Sequence, residues 1–232
     1  MIWTKMNKLL VLLLLLSFHT HAESLSQSFP AGQGASYKVR VRKEATPIYL
    51  SLYVAGTRVD SVHIEYFMET KTIIPVQMWQ QFEIGVNAKG PAEIRKGFVL
   101  TKELSNAEIM PPEYLKGAGG GIQVNNFLFA NKAQLDKDKV GEELVEIAAG
   151  STKATHYRTT GNGQTVDYWI SNDAKPMGLV MLVSKSEKNE NQNYSLELTS
   201  LMENVKAKIV PEKAVALSEK GKGLLAKPES MR

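Results

Sequence analysis

The chain has 232 residues, no cysteine, 28 Lys and Arg against 24 Asp and Glu, and a formal charge of +4. Lacking cysteine, it has no disulfides, thiol nucleophiles or zinc–thiolate sites, and so near a balance of charge excludes the basic patch of a nucleic-acid binder. Stability must come from a hydrophobic core, which a chain of this length can supply.

Residues 1–22 read as a cleavable secretory leader. Lys5 and Lys8 precede the apolar run Leu9 to Leu16, and Thr20 and Ala22 hold the small positions before the cut. The run is too short to span a bilayer, which takes about 20 residues, and no second long apolar stretch follows it. No cysteine stands after it to carry a lipid. A cysteine-free exported chain points to a bacterial periplasm. The remainder is expected to form one antiparallel β domain over 23–210 and a flexible tail over 211–232. That tail is rich in Lys, Glu and Gly, with room for one helical turn or two.

Beyond the leader, Lys38, Arg40, Arg42 and Lys43 alternate as on the solvated face of a strand. In PIYLSLYVAG, Ile48, Leu50, Leu52 and Val54 share a face. In SVHIEYFME, Val62, Ile64, Tyr66 and Met68 do the same, with His63, Glu65, Phe67 and Glu69 opposite. QQFEIGV sets Phe82, Ile84 and Val86 against Gln81 and Glu83. This period of two predicts strands with one face packed and one wet.

Short turn signals at Gly56-Thr57, Asn87 to Pro91, Gly150-Ser151 and Asn162-Gly163 imply a meander. Helical candidates are brief: Asn106 to Lys116, interrupted by Pro111-Pro112, and Lys132 to Asp138. The run Gly117-Ala118-Gly119-Gly120-Gly121 lacks a phosphate-loop lysine and precedes the strand-like IQVNNFLF, so it reads as a connection. Gly178 to Val183 is apolar on both faces, so both should be covered. Near the end, Tyr194, Leu196 and Leu198 alternate with Ser195, Glu197 and Thr199. The expected fold is mainly β: a strongly curved antiparallel sheet, or half-barrel, with a few short helices. A two-sheet β-sandwich is the alternative.

Chemistry-bearing residues concentrate in THYRTTGNGQTVDYWIS at 155–171. With Asn162-Gly163 at the centre of a type I′ turn, Arg158 faces Asp167, His156 faces Trp169 and Tyr157 faces Tyr168. Each suggestive side chain then has a structural cross-strand partner. Beyond the leader only His63 and His156 remain, with no second histidine at metal-ligand spacing and no G-x-S-x-G elbow. Trp79 and Trp169 read as strand formers before carbohydrate platforms. No catalytic residue, metal ligand or cofactor is assigned.

The run from Val145 to Leu198 carries a resemblance. Val145 to Ser151, Ala154 to Tyr157, Asp167 to Ser171 and Pro176 to Val180 resemble the closing strands of periplasmic proteins with a lipoprotein-localisation (LolA/LolB-like) half-barrel. The resemblance implies a curved antiparallel sheet around an apolar concavity that holds acyl chains.

The expected function is a non-enzymatic periplasmic protein that binds an apolar or amphiphilic ligand, a lipid or lipoprotein acyl chain, in that concavity. Leu50, Leu52, Phe82, Ile84, Tyr157, Tyr168, Ile170 and Leu196 are the candidate lining, and the same residues would serve a closed core. The tyrosine face of the 155–171 hairpin is expected to look inward. An assembly partner in the cell envelope, working through a sheet edge or the tail after Pro211, is the alternative. An envelope-polymer hydrolase acting through His156 is the third. Neither a nucleic-acid partner nor a transmembrane segment after leader cleavage is expected.

Overall fold

The computed structural model describes residues 29–41, 46–72, 75–85, 93–116, 136–161, 163–175 and 178–225. The leader, the glycine run with the stretch after it, and most of the 132–138 helix candidate lie outside the described residues.

Eleven strands follow in order: β1 (Gly34–Val41), β2 (Ile48–Thr57), β3 (Ser61–Thr70), β4 (Gln77–Gly85), β5 (Glu93–Thr101), β6 (Glu108–Ile109), β7 (Lys139–Ile147), β8 (Gly150–Gly161), β9 (Gln164–Ile170), β10 (Leu179–Ser186) and β11 (Tyr194–Met202). They form one sheet in the order β6-β5-β4-β3-β2-β1-β11-β10-β9-β8-β7, with every pairing antiparallel. The first and last strands pair in its middle, Val39 opposite Leu196. Two meanders run outward from that pair to β6 and β7, which are not joined. The single open sheet is the first of the two expected architectures, not the sandwich.

Two helices accompany it, α1 (Pro112–Lys116) and α2 (Glu219–Leu225). The 106–116 helix candidate divides into β6 and α1. Pro112 has no N–H to donate and a fixed φ, so it suits a first helical turn, while the residue before a proline is held extended.

Strand parity gathers the apolar residues on one face. A row running Ile48, Val39, Leu196, Leu182, Tyr168 and Tyr157 crosses six strands. Parallel to it lies a row of Met78, Met68, Leu50, Tyr37 and Leu198. Tyr37, Tyr66, Tyr168, Phe82 and Met68 are among the largest fully buried side chains. The sheet achieves this with little helix because it curves. The Tyr37 hydroxyl donates to the Leu179 carbonyl at 3.1 Å, although β10 is two strands from β1 and about 10 Å away in a flat sheet. Bulges at Ser36/Tyr37, Val54/Gly56, Glu83/Ile84 and Leu179/Met181 supply the bend.

The second face departs from the expected wet surface. Glu65, Gln81, His63 and Glu83 are all buried. The chain after β11 crosses over them as a strap, and the Glu65 carboxylate holds it. Glu65 accepts the backbone N–H of Lys208 at 2.8 Å and of Ile209 at 2.9 Å, the Gln81 amide at 2.9 Å, and the Tyr53 hydroxyl. Ile209 packs with Phe98, Ala107, Trp79 and Leu100 in a small second core.

The expected loose tail from Pro211 is docked at least to Leu225. Val215 exchanges backbone hydrogen bonds with Ala107 and Ile109, both at 2.9 Å. Buried Glu108 then accepts the N–H and hydroxyl of Ser218, and the Ser218 oxygen caps α2 at the Gly221 N–H. A Cβ at Gly221 would come within 1.9 Å of the Glu108 carboxylate, so only glycine seats the helix there. Lysine-rich composition suggested a solvated tail, but the buried Glu108 carboxylate outweighs it by binding the Ser218 backbone, beyond the Glu65 anchor at Ile209.

Replacing Glu65 with alanine orphans the buried backbone N–H of Ile209 and the part-buried one of Lys208. Glu65→Ala is expected to cost about 3 kcal/mol in urea unfolding and to free the strap backbone for trypsin cleavage at the exposed Lys206 and Lys208. Unaltered stability and cleavage would refute the clamp.

Burial also pushes the phenols of Tyr37, Tyr66 and Tyr168 well above their ordinary value. They must stay protonated in the fold, while the unfolded chain ionises them from about pH 10. Their stabilisation is therefore complete below pH 10 and falls as pH rises, by up to about 1.4 kcal/mol per pH unit for each tyrosine. Urea midpoints at pH 9 and pH 11 measure this, and a large drop at the higher pH is expected.

Candidate functional site

The 155–171 hairpin has the register its turn signal predicts, from Gly161 opposite Gln164 out to Thr155 opposite Ile170. Gly163 has φ +71°, the left-handed conformation that such a turn requires of its second central residue. On one face Tyr157 stacks on Tyr168 with centroids 5.1 Å apart. On the other, His156 stacks on Trp169 at 4.4 Å and an interplanar angle of 11°.

His156 Nε2 lies 2.7 Å from Asp167 Oδ1, and the Arg158 Nε donates to that same oxygen at 2.7 Å. The other side of the ring faces Glu143 of β7 at 3.5 Å, and Glu143 also accepts the Trp169 indole N–H. Burial opposes the charge on Asp167, yet Arg158 and His156 hold its carboxyl below the ordinary carboxylate range. This closed network ties β7, β8 and β9 together. Among the described residues no hydroxyl is bonded to His156, the arrangement a nucleophile would need.

All eight candidate lining residues stand on one sheet face. Leu50, Leu52, Phe82, Ile84, Tyr168 and Leu196 are buried within the core, and Tyr157 and Ile170 pack against it half-buried. The tyrosine face of the hairpin thus joins the main core. The histidine face is covered in part: the Ala148 N–H donates to Glu197 at 3.0 Å, so the end of β7 folds back toward β11, and Val145 and Ala154 are buried, while Arg158 and Glu143 stay about half exposed.

A cavity of about 480 Å³ lies beside β5. β6 covers only Phe98 and Val99 of that strand, leaving space toward its beginning. Phe98, Ile109, Met110, Pro112, Leu115 and Pro211 supply apolar lining. Arg58, His63, Glu83, Arg95, Lys96 and Glu212 supply the polar part.

A bulge makes Arg95 the extra residue of β5, with Ile94 opposite Ile84 and Lys96 opposite Glu83. Its guanidinium lies over Gly85, where any Cβ would come within 2.2 Å of it. Each lining cation meets a carboxylate: Arg58 with Glu212 at 3.2 Å, Arg95 with Asp60 at 2.6 Å, Lys96 with Glu83 at 3.5 Å. His63 is different. Its Nδ1 bonds Gln81 at 3.2 Å, while its buried Nε2 has no hydrogen-bond partner among the described residues.

Sequence reasoning set His63 aside as isolated. The available signal was the run of polar residues His63, Glu65, Gln81 and Glu83 on faces that become adjacent once β3 and β4 pair. Among the described residues no group of three or more His, Cys, Asp or Glu is arranged to hold a metal ion.

Asp167→Asn removes the charge that His156 and Arg158 share. A loss of about 1–2 kcal/mol in thermal or urea unfolding at pH 7 is expected, against no measurable change for exposed Thr160→Ala. The lowered carboxyl makes its contribution present above about pH 4 and lost as pH falls through the folded value. The variant should therefore lack that part of the acid sensitivity.

No family model matches the chain, and no curated protein matches it. Among solved structures it is similar to MucB in complex with MucA(peri), at 11% identity and a TM-score of 0.38, over 83% of this chain and 58% of that one. It is similar to CT021 from Chlamydia trachomatis at 9% identity and a TM-score of 0.42, covering 81% of this chain and 96% of that one. A protein with a YmcC-like fold from Bacteroides fragilis is similar at 11% identity and a TM-score of 0.36, over 75% and 96%. This chain spans a little under three fifths of the MucB chain.

Proposed function

We propose that this chain is a non-enzymatic binding protein of the bacterial cell envelope, exported by its leader, that holds an amphiphilic ligand in the cavity beside β5. The observation that carries the reading is the cavity itself: about 480 Å³, with an apolar wall of Phe98, Ile109, Met110 and Leu115 meeting a polar rim. That size and mixture suit a small-molecule site. An alkyl chain gains about 0.8 kcal/mol per buried methylene there, so roughly six methylenes supply about 5 kcal/mol.

In this reading the eight residues expected to line a concavity are the core, and the ligand sits at the sheet edge. The curved open sheet is the architecture that the resemblance to LolA/LolB-like carriers implies. The self-contained partners of His156 favour binding over catalysis.

A second reading, an assembly partner acting through a sheet edge, draws on β7. Val140 and Leu144 are 56% and 66% exposed on that outermost strand, an arrangement open to strand addition.

Native mass spectrometry and solvent extraction of the protein purified from a periplasm test the first reading. A co-purifying amphiphile is expected, and it should be lost from Ile109→Trp, which fills the cavity from a half-exposed position. Finding no amphiphile, together with no binding of added lipid, would leave the partner reading in its place.

A further inference from the structure

Resting on the reading that the cavity beside β5 is the binding site, we infer that its ligand is an uncharged amphiphile. Its polar end is a hydrogen-bond donor, an alcohol or an amide N–H, received by Nε2 of His63.

The argument starts at the buried Glu65 carboxylate. Gln81 Nε2 donates to Glu65 at 2.9 Å and to the Ile209 carbonyl at 3.1 Å. Both are acceptors only, so the nitrogen end of the Gln81 amide is fixed toward them. Its oxygen is thereby turned to His63, and Nδ1 of the ring must donate across the 3.2 Å contact. A neutral imidazole that donates from Nδ1 presents a lone pair at Nε2. That atom is buried, belongs to a side chain lining the cavity, and has no partner among the described residues. A buried acceptor in this state favours whatever brings it a donor.

The rest of the rim speaks against an anionic end. Arg58, Arg95 and Lys96 are each engaged by Glu212, Asp60 and Glu83 in turn. A carboxylate or phosphate entering the cavity would meet no unengaged cation, and its charge would also face the Nε2 lone pair. A plain hydrocarbon would leave Nε2 unpaired. The lining thus ranks an alkyl alcohol or amide above a fatty acid, an alkyl phosphate or an ether of equal chain length.

The test is calorimetric titration of the delipidated protein at about pH 8, well above the range where imidazoles ordinarily protonate. The probes are 1-decanol, decanoate and decyl methyl ether, which share a chain and differ in the polar end. The alcohol is expected to bind at least tenfold more tightly than the other two. His63→Phe keeps a ring and removes the acceptor, and it should bring the three within threefold. His63→Gln, whose amide oxygen reaches toward the former Nε2, should retain the preference.

Ether binding equal to alcohol, tighter binding of decanoate, or an alcohol preference that survives in His63→Phe would each overturn the assignment while leaving the cavity a binding site. Failure of all three probes would overturn the cavity reading as well. The comparison on the unmodified protein decides the matter even if His63→Phe fails to fold.

Discussion

The Glu65 carboxylate organises one whole side of this molecule. It sits on β3 with no exposed surface and gathers the Tyr53 hydroxyl, the Gln81 amide and two successive backbone N–H groups of the strap. An ionised carboxylate can be buried only where donors replace its water. The strap supplies two of those donors, so the charge and the strap are mutually necessary. Pro211 and Glu212, which wall the cavity, are held in place because Lys208 and Ile209 are anchored just before them. The same carboxylate orients Gln81, and Gln81 orients His63. One buried carboxylate thus sets the covering of the second face, the shape of the cavity and the orientation of His63, whose Nε2 has no partner among the described residues.

The first face rests on a different constraint, the curvature of the sheet. A flat sheet of eleven strands would need a full layer of helices to cover its apolar side. This one has two short helices among its described residues and meets the need by bending, with bulges spread along the sheet. Large side chains then fill the inside of the bend. Tyr37 reaching the Leu179 backbone is the measure of how tight it is.

What could be read from the residues alone followed the period of two. The strands β2, β3, β4 and β11 with their inward faces, and the full register of the 155–171 hairpin, were legible because adjacent residues decide them; β5 and β6 were not. The burial of His63, Glu65, Gln81 and Glu83 was not, since alternation marks which face a residue joins and not what later lies upon that face. The segment from Pro211 looked like a tail because its own residues are polar, and the strap before it carries no alternation to mark what it covers. Their fixing groups, Glu65 and Glu108, lie on other strands more than a hundred residues earlier. The cavity was hidden for the same reason, being assembled from β3, β4, β5, the β2–β3 turn, α1 and the strap.

The pairing of the first strand with the last has a consequence for how the chain acquires its structure. Thr199 bonds the Ser36 backbone across 163 residues of sequence, and β1 and β11 are the middle of the sheet. Both meanders grow outward from a pair that cannot exist until the last strand has been made. The β1–β11 pair closes so long a loop that its formation is slow, although β1 can pair with β2 locally. During synthesis the N-terminal half would have its six strands, β1 to β6, but no C-terminal partner for β1. A chain built this way stays unfinished until nearly all of it is present. Delayed completion of that kind would suit the export proposed for this chain.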